Sequence, residues 1–85
     1  MRLDVFLWHA RLAKTRVLAQ AMAVDGHLRI DGRAVDRSHH PVRVGNVLTF
    51  VAAGRVRVLR IEALPTRRGP PAEARECYQE LVSGN

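Results

Sequence analysis

Apolar side chains first recur with a helical period. Leu3, Phe6, Leu7 and Ala10 stand at i, i+3, i+4 and i+7, one face of a helix. Asp4 falls in the first turn of that helix, where the dipole favours a carboxylate. A second helix is predicted to start at Thr15, whose hydroxyl is a suitable N-cap, and to stop at Gly26. Along it Val17, Leu18, Ala21, Met22 and Val24 make a broad apolar face, while Arg16, Gln20 and Ala23 are assigned to the polar side. The link near Ala13 and Lys14 is very short, so the two helices must pack as a tight pair. Trp8 lies opposite the first helix's stripe and is expected to pack a second core surface rather than to stack on a base.

The period then changes from helical to alternating. His27-Leu28-Arg29-Ile30 alternates polar with apolar, Asp31-Gly32 is a hairpin signal, and Arg33-Ala34-Val35 returns. Residues 36–41 read as loop, and Val42-Arg43-Val44 leads into a Gly45-Asn46 turn. Val47 to Val51 is a strand, Ala52-Ala53-Gly54 a turn, and Arg55 to Ile61 a further strand. Its alternation breaks at Leu59-Arg60-Ile61, which signals a bulge or burial on both sides. Pro65, Gly69, Pro70 and Pro71 mark a hinge, and residues 72–82 are expected to form a short acidic helix. Ala74, Cys77, Tyr78 and Leu81 would be its apolar stripe, which favours packing on the core over a mobile tail that competes with RNA for the basic surface. The fold class expected is α+β: two packed N-terminal helices on a small, mostly antiparallel sheet, with a short C-terminal helix. Residues 1–64 are read as one domain and 65–85 as the hinge and acidic tail.

Length and charge narrow what such a fold can do. At 85 residues there is room for one modest core and for no separate catalytic domain. No run of about 20 apolar residues exists for a membrane span, and Asp4 interrupts the position of a secretory signal's apolar stretch. The single Cys77 cannot form an internal disulfide, which fits a reducing cytoplasm. Residues 1–68 carry 13 basic and 5 acidic side chains, whereas 69–85 carry 1 basic and 3 acidic. Lys14 is the only lysine, a compositional bias that explains Arg in place of Lys but not the excess of bases over acids. Positive charge so concentrated on a compact domain points to a polyanion such as a nucleic acid.

Catalytic chemistry finds little support. Cys77 lies between Glu76 and Tyr78 in the acidic tail, surroundings that raise a thiol pKa instead of activating it. His39 and His40 are adjacent, His9 and His27 are distant, and no spacing suits zinc; neither a metal nor a cofactor is expected. A glycine-rich phosphate loop is absent. Basic residues do gather, however. Arg11, Lys14 and Arg16 surround the start of the second helix, where free N–H groups and the dipole favour a phosphate. His27 lies just beyond the second helix, and Arg29 and Arg33 flank the Asp31-Gly32 turn, so helix start and hairpin could share one cationic surface, with Arg2 and Thr15 added as candidate contacts. Recognition sheets that stack bases need aromatics along strands, and of the four aromatics only Phe50 is placed in a strand.

Arg2-Leu3-Asp4, Leu7, Lys14-Thr15-Arg16, Ala19 and Gly26-His27-Leu28-Arg29-Ile30-Asp31-Gly32 resemble the alpha-L RNA-binding motif, the domain named after small-subunit ribosomal protein S-four. Within that superfamily the chain is most similar to the bacterial heat-shock protein fifteen family. Phe6-Leu7-Trp8-His9-Ala10-Arg11 and Arg67-Arg68-Gly69-Pro70-Pro71-Ala72-Glu73-Ala74, running into Tyr78, carry this closer resemblance. It implies a cytoplasmic, ribosome-associated protein that binds ribosomal RNA of a large subunit still carrying peptidyl-tRNA, in recycling or rescue of stalled translation. A monomer is expected. Relatives often continue into a longer basic C-terminal extension, whereas this sequence stops at Asn85, so any ribosomal RNA contact made by that extension is expected to be missing or replaced here. Two rivals remain at this point: an accessory subunit of an RNA-modifying enzyme, and a winged helix-turn-helix protein reading duplex DNA with its second helix.

Overall fold

The computed structural model describes residues 1–83. Helices α1 (Leu3–His9) and α2 (Arg16–Val24) come first, followed by strands β1 (Arg29–Ile30), β2 (Arg33–Ala34), β3 (Val47–Ala52) and β4 (Arg55–Ile61). A short helix α3 (Pro71–Arg75) and a final strand β5 (Tyr78–Ser83) complete the chain. The five strands form one antiparallel sheet in the order β2-β1-β3-β4-β5. The architecture is α+β, as the change of period predicts.

Register decides which face of the sheet is buried. Ile30 pairs with Leu48, Leu48 with Leu59, and Phe50 with Arg57. Alternation along each strand therefore sends Ile30, Leu48, Phe50, Leu59 and Ile61 to one face. Leu3, Phe6, Leu7, Ala10 and Ala13 close over that face to make a single core. Two tight turns set the register, with positive φ at Asp31 and Gly32 and again at Ala53 and Gly54. Turns with both central residues at positive φ match the twist of antiparallel strands.

The stripe of α1 is buried as the spacing predicts, and Thr15 caps α2 by accepting a 3.0 Å hydrogen bond from the Leu18 N–H. The face of α2 is different from the one expected. Ala19 and Ala23 are fully buried, Met22 is half-buried, and Val17, at 74% exposure, points outward with Leu18 and Val24. Ala23 thus moves from the polar side to the core. The reason is steric: a short link brings the helix axes together, and only small side chains fit between them.

The tail also departs from expectation. Helix α3 ends at Arg75, and residues 78–83 run as a strand along the open edge of β4. Ala74 and Cys77 are buried and Tyr78 is half-buried, so the packing of these three holds while Leu81, at 42% exposure, does not join them. An irregularity falls between Val58 and Leu59, where Leu59 faces Glu80 and Val58 faces Val82. The extra residue of this bulge is therefore Leu81 on β5, opposite the break seen in β4. Tyr78 joins Phe50 as a strand aromatic; Phe50 is buried and Tyr78 is partly buried against the core.

Candidate nucleic-acid interface

The candidate site is built around a carboxylate rather than around a cation. Asp4 is completely buried at the start of α1. It accepts hydrogen bonds from Arg2 Nε (3.0 Å) and Nη2 (2.9 Å) and from the Val5 N–H (2.9 Å). The first N–H groups of α1 are satisfied elsewhere: Leu3 donates to His40 O at 2.8 Å and Asp4 to Ser38 O at 3.0 Å. The loop over residues 36–42 thus covers this helix end, leaving the carboxylate to organise side chains.

Arg16, the first residue of α2, reaches back toward the same group, with Nη2 3.9 Å from Asp4 Oδ2. That separation is an ion pair and not a hydrogen bond, so the guanidinium donors of Arg16 remain open to a ligand. Its carbon Cζ also lies 5.6 Å from the centre of the Trp8 ring, within cation–π range. A second guanidinium, Arg68, lies 5.2 Å from the same ring. Arg68 donates through Nη1 to the carbonyls of Trp8 and, at 3.2 Å, Ala13.

The link between α1 and α2 is held from both ends. Arg11 takes the left-handed conformation, φ +59°, as the chain leaves α1, and its N–H donates to Trp8 O at 3.1 Å. The Arg11 side chain then donates Nε to Gly69 O at 2.6 Å. Ala10 and Ala13 are buried beneath, while Lys14 and Thr15 are exposed at the turn into α2. The start of an α-helix leaves N–H groups of its first turn without intrahelical acceptors. Here they adjoin Lys14 and Arg16.

The structure brings some of the candidate residues together and separates others. Arg2, Lys14, Thr15 and Arg16 share the region around Asp4 and the start of α2. Arg11 adjoins it, but one donor is committed to Gly69. The hairpin divides its two arginines: Arg29 pairs with Ala34 and Ile30 with Arg33, so Arg29 and Arg33 occupy opposite faces. Arg29 donates to Gly32 O at 3.2 Å and closes the turn. Arg33 lines an open depression of about 550 Å³ with Arg43 and His40. His27 sits beyond α2, where its N–H donates to Asp25 Oδ1 at 2.8 Å, and its ring is exposed. Spacing points to neither Asp4 as the organising group nor Arg68 as a neighbour of Trp8. The Arg67-Arg68-Gly69 run was the available signal.

Cys77 is a free, buried thiol. Its thiol pKa is raised, first by burial and then by the charges of Glu73 and Glu76. Among the described residues no three His, Cys, Asp or Glu side chains converge on a possible metal position. No helix among them is long and apolar enough to cross a membrane.

Comparison with known proteins gives this geometry a family. A match to the S4 domain spans residues 1–48, from α1 into β3. The chain belongs to the S4 domain family. It is 32% identical over 82 residues to heat shock protein 15 of Escherichia coli, covering 96% of this chain and 61% of that protein. A Vibrio cholerae heat shock protein 15, solved as a trimer, superposes with a TM-score of 0.88 at 32% identity, over 96% of this chain and 82% of that one. The small ribosomal subunit protein uS4 of Phytoplasma mali is 32% identical over 66 residues, 78% of this chain and 33% of that protein. The chain thus spans about three-fifths of the length of the curated heat shock protein it matches. The S4 match takes in Arg2, Arg11, Lys14, Thr15, Arg16, His27, Arg29 and Arg33, and it stops well before Arg68.

Proposed function

We propose that this chain is a non-enzymatic, cytoplasmic RNA-binding protein that engages structured ribosomal RNA of the large subunit. Its target is a subunit still carrying nascent-chain tRNA, and its role is recycling or rescue of stalled translation. Membership in the S4 domain family and similarity to heat shock protein 15 and to a ribosomal protein support the reading. The observation that carries it is the arrangement at the start of α2, where Arg16 is held by Asp4 and Trp8 with its donors open. In this reading Lys14 and Arg16 contact phosphates, Thr15 caps the helix and offers its hydroxyl, and Arg2 extends the same surface. Residues 1–64 form the RNA-binding unit, with His27, Arg29 and Arg33 as outer contacts.

A salt titration of binding to a ribosomal RNA fragment tests it, with duplex DNA as competitor at one stated salt concentration. Each phosphate contact contributes about −0.9 to the slope of log affinity against log salt on a duplex. Arg16→Ala should weaken binding and flatten the slope by about one contact. Unchanged binding by both Arg16→Ala and Lys14→Ala would refute the assignment, and preference for duplex DNA would favour a helix-turn-helix reading. Co-sedimentation of the tagged chain with large subunits tests the target. Sedimentation equilibrium of the free chain decides between the expected monomer and an assembly like the trimeric Vibrio structure.

A further inference from the structure

Four contacts cross between the segment after β4 and the end of α1 with its link. Arg68 donates to the carbonyls of Trp8 and Ala13, Arg11 donates to Gly69 O at 2.6 Å, and His9 Nδ1 lies 3.5 Å from Pro65 O. Residues 65–69 therefore grip the link from outside the S4 match, which ends at residue 48. The contacts are long in sequence, up to 60 residues apart, and converge on the stretch that delivers Lys14 and Arg16.

The two guanidiniums at Trp8 are in different chemical states. Arg68 is half-buried, and its Nη1 donates to two main-chain carbonyls that fix the guanidinium against the link. Arg16 has 45% of its side chain exposed and no hydrogen bond to Asp4, only the 3.9 Å ion pair. One indole thus serves a fixed cation and an available one. A planar fork can lie over a ring while its edge donates to carbonyls; an ammonium on a flexible stem cannot do both in one geometry.

We infer that Arg68 is a positioning residue of the RNA interface, fixing Trp8 and the α1–α2 link so that Arg16 is pre-oriented for a phosphate. This rests on the RNA-binding reading above. Arg68 acts through Trp8 and the link, not by touching RNA. Preorganisation of this kind strengthens binding by reducing the ordering that must accompany it.

The test measures binding of the full chain to a structured ribosomal RNA fragment over several salt concentrations, for the parent, Arg68→Lys, Arg68→Ala, Trp8→Phe and Arg16→Ala. A circular dichroism melt confirms that each is folded at the assay temperature. Cation–π stacking of about 0.5–1 kcal/mol corresponds to roughly two- to fivefold in affinity. Arg68→Lys, which keeps the charge, is expected to weaken binding by that factor with the salt slope unchanged. Its free-protein emission should shift too, because Trp8 is the only tryptophan. Trp8→Phe should give the same weakening at unchanged slope and keeps the test decisive if the Arg68 variants do not fold. Parent-like affinity in Arg68→Lys or in Trp8→Phe would overturn the proposal. A slope flattened by about one contact in Arg68→Ala would also overturn it, by making Arg68 a phosphate ligand. Should Arg16→Ala itself bind like the parent, the RNA-site reading fails, a result distinct from a failure of Arg68 alone.

Discussion

Replacing Asp4 by Asn preserves the volume of a fully buried side chain and removes its charge. The carboxylate accepts three hydrogen bonds, two of them from one guanidinium at 3.0 and 2.9 Å. An amide can accept from Val5 and from one donor of Arg2, but its NH₂ must then face the other. Hydrogen bonds to charged groups contribute about 1.5–3 kcal/mol. Two considerations favour the lower half of that range. The Arg2 and Arg16 side chains are 51% and 45% exposed, so water takes over their released donors, and removing the carboxylate also relieves its own desolvation. Asp4→Asn should therefore cost about 2 kcal/mol, a fall in Tm of about 8–16 °C for a domain of this size. Arg2→Ala should cost more, because it leaves the buried carboxylate with the Val5 N–H and a distant Arg16. The double variant should cost less than the two single changes added together, since each breaks the same pair. Thermal and urea unfolding followed by circular dichroism measures all three. A neutral Asp4→Asn, or an Arg2→Ala milder than Asp4→Asn, would refute the claim that the carboxylate organises this end of the molecule.

Thr15→Ala removes the hydroxyl that accepts the Leu18 N–H, and should lower stability by about 1 kcal/mol and Tm by about 4–8 °C; Thr15→Ser should restore most of it, and an unchanged melt for the alanine variant counts against the cap. The Cys77 thiol is held above its ordinary value of 9.0 by burial and by Glu73 and Glu76, so the unfolded chain loses that proton first as pH rises. The contribution is fully present below about pH 9.0 and is lost as pH rises through the folded pKa. The parent should thus lose more stability than Cys77→Ala between pH 8 and 10.5, and parallel curves would sink the argument.

Much of the fold is legible in the sequence because it is decided locally. The stripe of α1, the Thr15 cap and the two positive-φ turns depend on residues within four positions of each other, and each is where the pattern puts it. The basic character of the α2 start is legible for the same reason, since Lys14, Thr15 and Arg16 are consecutive. Tertiary structure decided the rest. Periodicity counts apolar residues and selects Val17, Leu18 and Val24, whereas close helix packing selects the small Ala19 and Ala23. The residues after Arg75 fit a helical stripe, yet the unpaired edge of β4 offers hydrogen bonds that no sequence-local signal reveals, and 78–83 becomes a strand. Asp4 looks like an ordinary first-turn acid until Arg2 and Arg16 converge on it. Arg68 meets Trp8 across 60 positions, a contact that exists only once the chain has folded back on α1.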